Sequence, residues 1–333
     1  MRKFLTGIKA NLIYVIVSSL AAGLLFGQAT GGGYRHVLRA AVVPVLFLMI
    51  YPIMISIDLQ EVVNVRRHAG TVLLSLVVNF GIAPLLAVGL AEVFFAGTVG
   101  YAVRLYFLAL IPTSGMTAAW TGLANGDLES ALVAMVVNLL VAVAVLPAYL
   151  SVLIPASVGF DPTALYGQLT QVIVVPMMAG NLTRRLLLGR YGARRFQQLK
   201  PVFGGVSSVG VTLIVFIAMA MRAESILADP VASAVTIVPI VVFYAGVLAV
   251  GAGLGRALLD TAGGVALVYA TSMRNLSIAI AVVVAAPTVP ETAVLPIAVA
   301  YVLQPSLGAV YMHYRRDVVD EGITVREAVS ARV

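Results

Sequence analysis

The stretch ALVAMVVNLLVAVAVLPAYLSVL, residues 131–153, decides the fold class of this chain. Its 23 residues include no charged side chain. A helix needs about 20 predominantly apolar residues to cross the roughly 30 Å hydrocarbon core of a bilayer. The stretch therefore predicts a transmembrane helix.

Similar apolar runs lie on both sides of it, separated by turn residues. The ten predicted spans are residues 8–27, 37–57, 71–95, 103–124, 131–153, 165–183, 203–221, 231–254, 262–287 and 291–312. The composition agrees, because 61% of the 333 residues are hydrophobic and 11% are charged. Soluble chains have about 45–50% apolar and about 25% charged residues. The sequence therefore predicts an all-α, polytopic membrane protein and excludes a soluble enzyme.

The basic residues predict the orientation. With the N-terminus in the cytoplasm, 16 of the 21 Lys and Arg residues fall on the cytoplasmic side and four in outer segments, and Arg274 lies within a span. Because cytoplasmic loops are enriched in Lys and Arg, both termini are predicted to be cytoplasmic, in the inner (plasma) membrane. The basic segment 184–200 is interpreted as a topology signal facing anionic lipid, with no nucleic-acid partner. The first run lacks a signal-peptide cleavage site and is interpreted as a retained span.

The two halves of the chain resemble each other. Thr113-Ser114 recurs as Thr271-Ser272 at an offset of 158, and other matches recur at similar offsets. Five helices is an odd number, so the second copy runs upside down, as in many secondary transporters. The predicted organisation is one transporter domain over 1–333, with a first repeat over 1–156, an inverted repeat over 157–313 and a cytoplasmic tail over 314–333.

Function in such a chain is expected where polar residues enter the apolar spans. The fourth span contains Pro112, Thr113, Ser114 and Gly115, and both proline and glycine weaken a helix. Backbone groups freed there are tolerable only when they face protein or a cavity. The repeat-related ninth span contains Arg274 in the middle of an apolar run. These two spans are the predicted functional centre.

Arg274 is the most costly residue to bury. A charge at the bilayer centre costs about 2.5–3.5 kcal/mol on insertion scales, and no acidic residue is predicted at the same depth. The candidate partners are carbonyls freed near Pro112, the Asn79 amide, Thr or Ser hydroxyls, and an anionic substrate. Two interpretations stay open: Arg274 binds substrate, or it is a structural cation that ties the two broken helices together.

The remaining polar groups favour transport over catalysis. Asn79, Asn138 and Gln304 are interpreted as interhelical hydrogen bonds, and all three histidines lie at span ends. The chain has no cysteine, so a disulfide, a thiolate metal site and a cysteine nucleophile are excluded. An intramembrane enzyme is disfavoured because the spans hold almost no His, Asp or Glu. No cofactor or metal is expected, and the tail is too short for the signalling domain of a sensor.

The chain resembles the bile acid/sodium symporter superfamily, which also holds the arsenite permeases. The resemblance covers nearly all ten spans and rests on three motifs: Ile111 to Met116 with the following Leu123 to Asp127, Asn79-Phe80 to Ala83-Pro84, and Ser272 to Asn275. Membership implies a six-helix core domain and a four-helix panel. It also implies that the fourth and ninth helices are unwound and cross at mid-membrane, with alternating access through movement of core against panel.

The chain departs from the sodium-coupled members of that superfamily. Where those members have a Glu four residues before the Gln of a Gln-Asn pair, this chain has Ala270 and Arg274 and keeps only Asn275. Their Ser-Asn pair in the fourth helix is Thr117-Ala118 here. Hard cations need oxygen ligands, and a guanidinium repels sodium. Sodium coupling is therefore predicted to be absent.

Two transport functions stay open. The first is movement of a small organic anion, with a substrate site formed by Asn79, Thr113, Ser114, Thr117, Thr271, Ser272, Arg274 and Asn275. The alternative is export of arsenite or antimonite through a cysteine-free site, because the arsenite permeases have a Cys at the position of Thr113. In both cases the expected partners are a small-molecule substrate and the lipid bilayer.

Overall fold

The structure is a computed structural model that describes residues 12–31, 33–56, 65–97, 99–154, 161–228, 237–276, 278–279 and 294–315. Within these residues the regular elements are helices: α1 (Leu12–Thr30), α2 (Arg35–Ser56), α3 (Ala69–Val77), α4 (Ala83–Phe95), α5 (Val99–Leu110), α6 (Met116–Leu123), α7 (Leu128–Leu153), α8 (Pro162–Leu169), α9 (Val175–Ala228), α10 (Ile237–Leu258), α11 (Thr261–Ser272) and α12 (Val294–His313). Two π-helical turns, Val78–Ile82 and Thr170–Val174, join α3 to α4 and α8 to α9.

The helices follow the apolar runs of the sequence. Each of the ten predicted runs overlaps at least one helix, which confirms the all-helical membrane class. The helices that are both long and apolar enough to cross a membrane are Arg35–Ser56, Ala69–Phe95, Leu128–Leu153, Val175–Met221 and Ile237–Leu258. The count of ten spans in two inverted repeats stays a prediction, and residues 280–287 of the predicted ninth span lie outside the described residues.

Helix α9 is too long for a single crossing. Its 54 residues would extend about 80 Å as one straight helix, against a hydrocarbon core of roughly 30 Å. Gly192 interrupts it with a left-handed backbone (φ 74°, ψ 165°), a conformation that glycine adopts without steric cost. The basic segment 184–200, expected as a break between spans, is therefore helical on both sides of Gly192.

Helices α1, α2 and α9 form one packed group. Glycines allow their backbones to approach closely, as small residues do between membrane helices. A Cβ atom built on Gly23 of α1 would lie 2.5 Å from the carbonyl oxygen of Phe216 in α9. One built on Gly210 of α9 would lie 2.6 Å from the Cα atom of Met49 in α2. Larger side chains at these glycines would push the helices apart.

A second group is organised around α11, which contacts α3, α6, α7 and α10. Every residue of α11 from Gly263 to Ser272 is buried, so this apolar helix is surrounded by protein. Gly255 of α10 packs against Gly264 of α11, where an added Cβ atom would lie 2.9 Å from the opposing Cα atom. Helix α12 contacts members of both groups. The broken helices of the sequence analysis lie in the second group, because α6 contacts α11 and α5 contacts α7 of that group.

Candidate substrate site at the helix crossover

Two broken helices meet through their unwound segments. Helix α5 ends before Pro112, and the chain is extended until α6 begins; α11 ends in the same way at Met273. The two extended segments run antiparallel. The amide of Ser114 donates to the Met273 carbonyl (2.8 Å), and the amide of Asn275 donates to the Pro112 carbonyl (2.8 Å). Backbone groups that the helices leave unpaired are thus paired with one another, as burial at membrane depth requires.

After each helix break, a polar side chain caps the helical segment that follows. Pro112 has no amide to continue α5, and the Ser114 Oγ accepts from the amide of Met116 at the start of α6 (3.2 Å). On the other strand, the Asn275 Oδ1 accepts from the amide of Ile278 (3.1 Å). Short polar side chains that accept from amides two or three residues later are typical N-caps. Ser114 and Asn275, both proposed site residues, therefore shape the crossover.

Arg274 lies at the centre of the crossover, opposite Thr113, and is 1% exposed. Its Nη1 donates to the carbonyls of Ala109 (2.7 Å) and Ile111 (3.4 Å). These carbonyls belong to the end of α5, where the helix dipole favours a cation. The guanidinium carbon lies 5.4 Å from the centre of the Phe243 ring, within the range of a cation–π contact. The predicted carbonyl partners near Pro112 are therefore present.

Gln304 of α12 holds the backbone of Arg274. Its Oε1 accepts from the Arg274 amide (2.8 Å), and its Nε2 donates to the Arg274 carbonyl (3.1 Å). The hydroxyl of Tyr244 donates to the same Oε1 (2.9 Å). Gln304 thus replaces the helical hydrogen bonds that residue 274 loses at the break. The sequence analysis interpreted Gln304 only as an interhelical contact, because nothing in the sequence pairs position 304 with position 274.

One edge of the Arg274 guanidinium is buried without a partner. Nε and Nη2 make no hydrogen bond within the part of the chain that the structure describes. These two nitrogens lie on the same edge of the planar group and point their N–H bonds in nearly the same direction. That edge matches two oxygen atoms of a carboxylate or another oxyanion. Leaving such donors unpaired costs about 1–3 kcal/mol each or more, so an acceptor brought to this edge would be stabilised.

Threonine hydroxyls line the crossover on the α6 side. The Oγ1 of Thr117 donates to the carbonyl of Tyr269 (3.2 Å). Its proton is used there, so the Thr113 Oγ1, which lies 2.6 Å from the Thr117 Oγ1, is the donor of that second contact. Both threonines are buried. They link α6 to α11 beside the residue that pairs with Arg274.

Asn79 reaches α11 from the π-helical turn Val78–Ile82. Its Nδ2 donates to the Asn138 Oδ1 (2.8 Å) and to the carbonyl of Ala270 (3.1 Å), and the Asn138 Nδ2 donates to the Ser75 Oγ (2.7 Å). This buried ladder ties α3, α7 and α11 together. The Asn79 Oδ1 is buried and has no partner within the described residues, so Asn79 does not serve as the predicted acceptor for Arg274.

The π-helical turn has a local cause. Pro84 lacks the amide that would bond the Phe80 carbonyl in a regular α-helix, and the hydroxyl of Tyr149 in α7 donates to that carbonyl instead. π-Helical turns occur frequently at functional sites. Here the turn places Asn79 fully inside the second helix group.

Thr271 and Ser272 bond within their own helix. The Thr271 Oγ1 donates to the carbonyls of Leu267 (3.0 Å) and Val268 (3.1 Å), and the Ser272 Oγ donates to Val268 (2.7 Å). Both residues are buried in the last turn of α11. Their hydroxyl protons are therefore used within the helix, and neither hydroxyl oxygen accepts from the free edge of Arg274 in the described structure.

His68, expected at a span end, is buried before α3. Its Nδ1 lies 2.7 Å from the Ser130 Oγ and 3.6 Å from the Asp127 Oδ2. Asp127 caps α7 by accepting from the amides of Glu129 (3.0 Å) and Ser130 (3.1 Å). Partial burial alone would raise the pKa of Asp127, but the hydrogen bonds from Ser130 and Glu129 and the nearby His68 outweigh it and lower that pKa below its ordinary value.

Broken helices that meet around a buried charge inside a bundle of membrane helices are typical of secondary transporters. The chain belongs to the Sodium Bile acid symporter family, whose profile matches residues 43–229, more than half of the chain. Members of this family are transporters and not enzymes. The family and the apolar helices accordingly indicate a multi-pass membrane protein.

Two curated relatives carry the same name. The chain is 26% identical to the Arsenical-resistance protein Acr3 of Alkaliphilus metalliredigens, in a match that covers 62% of each chain. It is 22% identical to the Arsenical-resistance protein Acr3 of Corynebacterium glutamicum, over 69% of this chain and 67% of the relative. The match thus spans less than two thirds of the first relative. These findings confirm the predicted superfamily and its arsenite-permease-like branch.

Proposed function

We propose that this protein is a secondary transporter of a small organic anion and that the free edge of Arg274 binds the anion. One observation carries the proposal: a buried guanidinium has Nε and Nη2 without a partner among the described residues, while the end of α5 anchors its Nη1. A purely structural cation would use all its donors, because buried unpaired donors are costly. A carboxylate or equivalent oxyanion supplies two acceptors at the spacing that this edge requires.

Sodium has no role in this proposal. The guanidinium of Arg274 occupies the crossover, and the methyl side chain of Ala270 stands where sodium-coupled members have a carboxylate. A sodium ion needs oxygen ligands and is repelled by a nearby cation. The fixed charge of Arg274 takes the place of the coupling cation and attracts the substrate directly.

Transport proceeds by alternating access between the two helix groups. Helices α1, α2 and α9 act as the panel, and the group around α11 carries the crossover as the core. The two inverted five-helix repeats, 1–156 and 157–313, supply the two access states, with both termini in the cytoplasm. Asn79, Thr113 and Thr117 line the substrate site beside Arg274, and Ser114, Thr271, Ser272 and Asn275 maintain the shape of the crossover.

The test compares Arg274→Gln and Arg274→Lys with wild type. The purified proteins are titrated with a panel of small mono- and dicarboxylates, and the midpoint of thermal unfolding is read as a measure of binding. The lysine variant keeps the charge but loses the two-nitrogen edge, so we expect at least about tenfold weaker binding, the factor for 1.4 kcal/mol. Arg185→Gln, an exposed arginine of α9, is the matched control and should bind as wild type.

Two results would contradict the proposal. Equal anion affinity in wild type and Arg274→Gln would remove Arg274 from the substrate site. Uptake into proteoliposomes that is several times faster in sodium than in potassium would overturn the absence of sodium coupling. Uptake that is equal in both salts and lost in Arg274→Gln is the expected outcome.

A second candidate function is export of arsenite or antimonite, favoured by the name of the two relatives. The crossover favours it less, because arsenous acid is uncharged at neutral pH and gains less from a cation than an oxyanion does. Growth of an arsenite-sensitive host on arsenite distinguishes arsenite export from organic-anion transport. Protection by wild type that survives Arg274→Gln would support arsenite export and reject the anion site, whereas no protection would leave the organic anion as the substrate.

A further inference from the structure

A second basic site lies away from the crossover, where α10 and α12 end and α11 begins. A cavity of about 400 Å³ opens there, lined among others by Arg256, Asp260, Tyr311, Tyr314 and Arg315. Arg274 does not line this cavity. Its ligand chemistry can therefore be considered separately from the proposed substrate.

The lining favours an oxyanion with a single negative charge. Arg256 and Arg315 contribute two positive charges and Asp260 one negative charge, which leaves the cavity with a net positive charge of one. Guanidinium groups bind phosphate oxygens with charge-assisted hydrogen bonds, and the hydroxyls of Tyr311 and Tyr314 add donors. A phosphodiester carries one negative charge, whereas inorganic phosphate at neutral pH carries between one and two.

The position of the cavity favours a lipid as the source of that phosphodiester. Spans α10 and α12 end at the cavity, which places it at the level of the lipid headgroups. Leu258 and Val310, next in sequence to lining residues, are 62% and 65% exposed, and apolar side chains exposed on a membrane helix contact acyl chains. Tyrosine is also enriched at membrane interfaces.

We infer that this cavity binds the phosphate headgroup of an anionic phospholipid, with Arg256 and Arg315 as the principal contacts. Basic pockets between membrane helices are known to bind such headgroups. A lipid bound there contacts α10, α11 and α12. Helix α11 leads directly into the extended segment of the crossover that contains Arg274. The lipid thereby stabilises the group of helices that holds the substrate site.

The experiment measures the thermal unfolding midpoint of the purified full-length protein in detergent. Three probes are titrated: phosphatidylglycerol, zwitterionic phosphatidylcholine and inorganic phosphate. Phosphatidylglycerol should raise the midpoint with saturation, and phosphatidylcholine should not. Arg256→Gln and Arg315→Gln should each lower the apparent affinity for phosphatidylglycerol by about fivefold, which corresponds to about 1 kcal/mol per arginine. Arg35→Gln, an exposed arginine at the start of α2 that does not line the cavity, should leave the effect unchanged.

Asp260→Asn should change the affinity for phosphatidylglycerol in the opposite direction to the arginine variants, and it does so without removing a proposed contact. Asp260 precedes α11 without a side-chain capping bond, and asparagine is as good as aspartate at that position. Removing its negative charge should tighten phosphatidylglycerol binding by about fivefold. An effect of phosphatidylglycerol that none of the three variants changes would overturn the site. An equal saturable effect of inorganic phosphate would overturn the lipid as its occupant.

Discussion

At the scale of a single residue, the nitrogens of Arg274 have two different environments. Its Nη1 donates to the carbonyl end of α5, while its buried Nε and Nη2 have no partner in the part of the chain that the structure describes. The two interpretations left open by the sequence, structural cation and substrate ligand, are therefore compatible, because different nitrogens serve them. Lysine could not serve both functions, since its single nitrogen cannot bond the α5 carbonyls and also present two parallel N–H groups to an anion.

Gln304 is expected to be the most sensitive partner of Arg274. Gln304→Leu removes the Gln304 hydrogen bonds to the amide and the carbonyl of Arg274, each worth about 0.5–1.5 kcal/mol, and leaves only their local bonds to Ser272 and Leu276. We expect a large fall in the thermal unfolding midpoint together with loss of anion binding. Tyr244→Phe removes one of the two bonds that the Gln304 Oε1 accepts and should lower the midpoint much less. Equal midpoints for the two variants would contradict this account of the crossover.

Asp127 gives the protein a stability that depends on pH. Because its pKa is lowered in the folded state, the unfolded chain binds the proton more readily, and stability rises with pH in the window between the two pKa values. The contribution is fully present above the unfolded value of about 3.9 and is lost as pH falls through the folded value. Asp127→Ala should cost about 0.5–2 kcal/mol at neutral pH through the lost cap.

Acid unfolding curves test this statement. The stability difference between wild type and Asp127→Ala should shrink as the pH falls below about 4, the ordinary range of a carboxyl. Asp127→Asn, which keeps a capping oxygen, is the control for the helix cap. A difference that stays constant down to acid pH would show that the carboxylate charge has no part in it.

At the scale of the element, small residues set how closely the helices pack. An added Cβ atom at Gly23 meets the Phe216 carbonyl of α9, whereas one at Gly253 of α10 meets no atom within 4 Å. Gly23→Ala should therefore lower stability by about 1–3 kcal/mol through overpacking. Gly253→Ala should raise it by up to about 1 kcal/mol through helix propensity. Thermal unfolding of the two variants checks whether the same substitution lowers stability at Gly23 and raises it at Gly253.

At the scale of the whole molecule, the distribution of arginines predicts the orientation. The chain contains no cysteine, so a single introduced cysteine can be labelled without background. Arg35→Cys, at the start of α2, should react with a membrane-impermeant maleimide in intact cells. Arg185→Cys, before the Gly192 kink, should react only after permeabilisation. The reverse pattern would mean that both termini face outwards.

The amino-acid sequence by itself determined the helical membrane class, the positions of the helices and the two places where they break. These depend on local properties, namely apolar runs of membrane length and the missing amide of Pro112 or the buried charge of Arg274. It also predicts that Asn79, Thr113, Thr117 and Arg274 belong to one site, through the resemblance between its two halves and to the family, and this assignment stays a prediction.

Only the tertiary structure decided which partners these residues have. Gln304 lies 30 residues from Arg274, and the Ala109 carbonyl lies 165 residues away, so no local pattern links them. The same holds for the buried state of His68 and for the cavity between α10, α11 and α12. Hydrogen-bond partners and unpaired edges depend on how distant segments pack, and packing is a property of the folded chain, not of any stretch of sequence within it.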